Sequence, residues 1–138
     1  MERLKQLHFW VGLIGIVIFL LTGQYMYHAL NVLQGMDDGP RMLFRSAHIY
    51  FMLASLINLL VGIYLEPRSL KHGKGFQLTI SVLILVAPIL LLSGFFLEPY
   101  LSDLARPYSK LGLYALFAVA VLMLLVEIKI RVIKFIKP

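Results

Sequence analysis

Histidine and methionine are the side chains of this chain best suited to chemistry. His8, His28, His48 and His72 all fall in its first 72 residues, and Met26, Met36, Met42 and Met52 cluster around the middle pair. Imidazole ligates metals through one ring nitrogen, and thioether with imidazole suits Cu(I). His28, His48, Met26 and Met52 therefore form a candidate copper set, although Met26 and His28 point apart if the segment is helical. Haem iron is the other candidate for His28 and His48. It needs two imidazoles on facing helices at one depth, with apolar walls such as Tyr25, Phe44, Tyr50 and Phe51. There is no cysteine, so thiolate sites, iron–sulfur clusters and disulfides are excluded.

What must position these groups is a bundle of membrane-spanning helices. Of 138 residues, 60% are hydrophobic and 14% charged, more apolar surface than a soluble domain of this size can bury. Four continuous apolar runs carry it, at 9–33, 49–65, 76–97 and 111–126. A helix crosses the hydrocarbon in about 20 residues, whereas four open strands would leave backbone groups unpaired in lipid. The expectation is an all-α integral membrane protein, a four-transmembrane-helix antiparallel bundle. Its helices are predicted at about 7–33, 46–65, 76–97 and 111–130 of a single domain, 1–138. The first run is too long for a cleaved signal peptide.

Turn signals separate the runs. Gly35-Met36-Asp37-Asp38-Gly39-Pro40 is read as ending the first helix, Glu66-Pro67-Arg68 the second and Glu98-Pro99 the third, with Arg106-Pro107 preceding the fourth. Connections this short make sequential helices antiparallel neighbours. Arg3, Lys5, Arg68, Lys71, Lys74, Lys129, Arg131, Lys134 and Lys137 fall on one side, against Arg41, Arg45, Arg106 and Lys110 on the other. The positive-inside rule puts both termini in the cytoplasm. The net charge of +6 is this asymmetry, which suits lipid headgroups rather than nucleic acid.

In this frame His28 and His48 reach similar depth near the outer face. His8 and His72 lie at the inner face, where an exposed, interfacial role is the simpler expectation. The opening Arg3, His8-Phe9-Trp10, an apolar stretch and Thr22-Gly23 resembles the first helix of bacterial b-type cytochrome membrane subunits. These are the anchors of hydrogenases and formate dehydrogenases and the small cytochrome b561 proteins. The resemblance covers about the first 23 residues. It implies haem b, electron exchange with quinone or a partner subunit, a bacterial inner membrane, and His8 as an inner-side haem ligand. Two features depart from that pattern: Phe9 separates His8 from Trp10, and the last two helices carry no histidine.

The remaining polar residues read as structural. Asn58, mid-span, needs an interhelical partner, with Thr79, Ser81 and the carbonyl freed by Pro88 as candidates. Arg41 and Arg45, one helical turn apart, can pair with Asp37, Asp38, Glu98 or Asp103, or hold lipid phosphate. Gly112, Ala115, Ala118 and Ala120 suit close helix contact. Leu20-Leu21-Thr22-Gly23 and Leu91-Leu92-Ser93-Gly94 look alike, a repeat no better explained than by ordinary small-residue packing. No hydrolytic, phosphate-binding or methyl-transfer motif occurs, so the chain is not expected to be an enzyme by itself. A b-type haem electron-transfer or quinone-interacting subunit is the favoured expectation. A cofactor-free structural or assembly subunit of a larger membrane complex is the alternative, and copper handling a third.

Overall fold

The computed structural model describes residues 2–64, 74–101 and 104–136. His72, Asp103 and the Glu66-Pro67-Arg68 turn lie outside them. Among the described residues the fold has four α-helices: α1 (Glu2–His28), α2 (Asp38–Tyr64), α3 (Lys74–Leu97) and α4 (Pro107–Ile136). Each is long and apolar enough to cross a membrane, and no strand occurs among the described residues.

The largest departure from expectation is at the first connection. α1 stops at His28 and α2 starts at Asp38, so Asp38-Gly39-Pro40 opens a helix rather than closing one. The chemistry suits that role. Proline is tolerated in a first turn because its missing N–H would have no partner there, and Asp38 favours the positive helix end. Asp38 also pairs with Arg41, and the Arg41 N–H donates to the Asp37 carbonyl at 3.1 Å.

Between the helices a tight turn puts Asn31, Val32 and Leu33 at positive φ (44°, 57° and 60°), followed by Gly35 at 75°. A β-branched residue such as Val32 rarely adopts this region. Leu33 offsets the cost, since the turn delivers it into a cluster with Phe44, Ala47 and Phe95.

α1 and α2 pack through missing side chains. Gly62 lies on the backbone of Phe9, Gly12 on the backbone of Leu59, and Gly15 on the Ser55 side chain. Early residues of α1 thus sit against late residues of α2. Small residues let backbones approach where lipid supplies no hydrophobic drive. α3 joins through Phe51 and Ala54 against Ala87 and Leu91, and α4 through Val119 against Ile80 and Ile84. Gly112 packs on Leu91, whereas Ala118 and Ala120 are exposed. The outer surface is apolar, with Leu21, Ile49, Ile89 and Phe117 all more than half exposed.

The α3–α4 connection is held by Glu98, which is fully buried. Its carboxylate accepts the Ser109 backbone N–H at 2.7 Å and the Ser109 hydroxyl at 2.5 Å. Ser109 lies in the first turn of α4, so the acid caps that helix. Glu98 is thereby committed to the cap rather than to a surface cation site. Glu98→Ala is expected to cost about 1–2 kcal/mol in unfolding by denaturing detergent, and Glu98→Gln less, because its amide oxygen still accepts. Equal losses would rule out capping as the role.

Candidate functional site

His48 sits on the half-buried side of α2, with Nδ1 at 3.1 Å from Thr22 Oγ1 on α1. The Thr22 hydroxyl proton is already given to the Phe19 carbonyl at 2.9 Å. Oγ1 must therefore accept, and Nδ1 must carry the imidazole proton. Nε2 is left as a lone pair with no hydrogen bond among the described residues. The ring is clamped by stacking on Phe19, centroids 4.1 Å apart and 20° from parallel, with Phe95 at 6.1 Å. A Cβ at Gly23 would be in ordinary contact with the ring, 3.7 Å from Nε2. Gly23 also lines a cavity of about 210 Å³ with Met26, Tyr27, Val32, Leu33 and Arg45, a lining that does not include His48.

His8 carries the same tautomer at the other end of α1. Its Nδ1 lies 2.9 Å from Asn58 Oδ1, and the Asn58 amide nitrogen donates to the carbonyls of Ala54 at 3.0 Å and Ile84 at 2.9 Å. With the amide protons spent, Oδ1 accepts from His8 Nδ1–H. Ile84 is the residue whose carbonyl Pro88 leaves free in α3, since proline has no N–H to return. Of the partners weighed for Asn58, this is the one used. His8 Nε2 is buried and has no hydrogen-bond partner among the described residues. The expectation of an exposed, interfacial His8 is corrected: its side chain is fully enclosed. α1 begins at Glu2, so His8 lies inside the helix rather than at its start.

His28 is exposed and packs edge-on against Tyr27 at 4.8 Å. It shares no hydrogen bond or ring contact with His48 among the described residues. The early start of α2 explains this. It sets the hairpin so that His48 meets Thr22, six residues and about 9 Å of helix axis before His28. Met26 lines the cavity near His48 and packs against the Leu33–Phe44 cluster, while Met52 is half-buried on α2. Among the described residues no group of three or more His, Asp or Glu gathers. Arg41 is held by Asp38, and Arg45 stands exposed on the cavity wall.

Sequence reasoning missed Thr22, Gly23 and Phe19 as the setting of His48, although Thr22-Gly23 stood out for other reasons. It also missed Arg106, which donates from Nη2 to Ser46 Oγ at 2.5 Å and lies 5.7 Å above the Tyr50 ring. The chain matches no protein-family model, no curated protein and no solved structure.

Proposed function

We propose that the chain is an integral protein of the bacterial inner membrane, four antiparallel helices with both termini cytoplasmic. Its function is to carry electrons through a b-type haem held by His48, in exchange with quinone or a partner subunit. One observation carries this reading: the His48 ring is bonded through Nδ1 to Thr22, and its Nε2 makes no hydrogen bond among the described residues. Metal-ligating histidines take this form, the second nitrogen fixing tautomer and orientation. His8 has the same form at the opposite end of α1.

In this assignment His48 supplies the ligand, and Thr22 and Phe19 hold its ring. When bound, haem supplies one-electron transfer at its iron. The cavity is smaller than the roughly 300–1,000 Å³ of enclosed ligand pockets. Part of the macrocycle would then lie against lipid or a neighbouring subunit, where an electron partner docks.

The test is the visible spectrum of protein purified in mild detergent from haem-supplemented cells, oxidised and then dithionite-reduced. The expected result is a Soret band with reduced α and β bands, abolished by His48→Ala and kept in His28→Ala. Thr22→Val should weaken haem retention by about tenfold or more through loss of the ring's anchor. A colourless wild type, or full haem content in His48→Ala, overturns the reading. Met26 on the same cavity wall favours a second reading, Cu(I) held by imidazole and thioether. A colourless protein that loads copper and loses it in Met26→Leu would establish it.

A further inference from the structure

The first turns of α2 carry an unspent cationic site. A cavity of about 460 Å³ is lined by Asp38, Arg41, Met42, Arg45, Ser46 and Ile49. Met42, Arg45, Ser46 and Ile49 follow helical spacing, so they form one stripe down α2. Its charges do not cancel. Asp38 is taken by Arg41, Arg45 makes no ion pair among the described residues, and Arg106, just before α4, bonds the lining residue Ser46. Nearby, Asp37 and Lys110 are exposed and of opposite sign, and Glu98 is bound to Ser109.

Arg106 is the second cation at this level. Its Nη2 donates to Ser46 and the guanidinium faces Tyr50, while Nε is enclosed with no acceptor among the described residues. Guanidinium suits phosphate oxygens, often through two parallel bonds. The same stripe turns apolar on both flanks of the arginine level, with Met42 57% and Ile49 56% exposed. A polar head among apolar side chains at a span end is the shape of a phospholipid, not of a free anion.

We propose that this end of the bundle binds one anionic phospholipid, its phosphate between Arg45 and Arg106 and an acyl chain along Ile49. The site rests on the membrane-spanning reading and is independent of haem.

The test uses the full chain in mild detergent with micelles containing phosphatidylglycerol or phosphatidylcholine, bound lipid being counted by native mass spectrometry. Phosphatidylglycerol should be retained in preference, with inorganic phosphate failing to displace it. Arg45→Gln and Arg106→Gln should each weaken retention about tenfold. Arg45→Lys should keep most of it. Arg45 is exposed, so its variants fold even if Arg106 variants do not; circular dichroism checks both. Equal retention of the two lipids, unchanged binding in Arg45→Gln, or displacement by inorganic phosphate each overturns the proposal. A chain that stays monodisperse without detergent would instead overturn the membrane reading beneath it.

Discussion

Alanine at Gly12 or Gly62 is expected to destabilise the bundle by about 3 kcal/mol or more, the upper end of overpacking costs. The new methyl group would meet the backbone of Leu59 or of Phe9 rather than a side chain that can swing away. The helices would have to separate, and the Thr22–His48 and His8–Asn58 bonds depend on their present spacing. Gly75 supplies the control, since nothing lies within 4 Å of a Cβ there. Gly75→Ala should be neutral or stabilising by about 0.5–1 kcal/mol, the usual helical gain over glycine. Unfolding in denaturing detergent, followed by Trp10 fluorescence, gives the sign directly. Opposite signs are required; similar small effects at all three positions would mean that α1 and α2 do not pack backbone to backbone.

Asn58→Leu should be nearly as damaging, for a different reason. It strands the His8 Nδ1–H and the Ile84 carbonyl together, each in apolar surroundings at about 1–3 kcal/mol. The combined loss is about 2–6 kcal/mol, less where the unfolded chain in lipid finds other partners. The discriminating variant removes both sides. His8→Phe with Asn58→Leu leaves the Ile84 carbonyl as the one stranded group, so it should recover much of the single-mutant loss. A double variant as unstable as the sum of the singles would show that the two residues act separately.

The spans were legible because length and continuity of apolar runs are read without tertiary knowledge. Helix starts were less so. Asp38-Gly39-Pro40 obeys the rules for leaving a helix and for entering one, and only packing around Leu33 and Phe44 decides between them. That single ambiguity moved the facing partner of His48. The bonded pair Thr22 and His48 lies 26 residues apart, and a hairpin that close leaves His28 beyond the contact. His48 stood out because an imidazole in an apolar run is costly, but the identity of its partner depended on the loop. The burial of His8 was hidden because Arg3 and Lys5 make its neighbourhood look interfacial. Asn58 gave the opposite case: with a mid-span amide and a mid-span proline on neighbouring helices, elementary hydrogen-bond accounting pointed to the carbonyl it uses.

α4 runs for 30 residues, about 45 Å, while its apolar window ends at Val126, ahead of Glu127. Beyond that window it stays helical, with Arg131 pairing back to Glu127 at 2.8 Å. The hydrocarbon it crosses is about 30 Å thick. The surplus gives the bundle tolerance to hydrophobic mismatch: a thicker bilayer can take up another turn of α4, and a thinner one can release it to the headgroups, without tilting the α1–α2 pair on which both imidazoles depend.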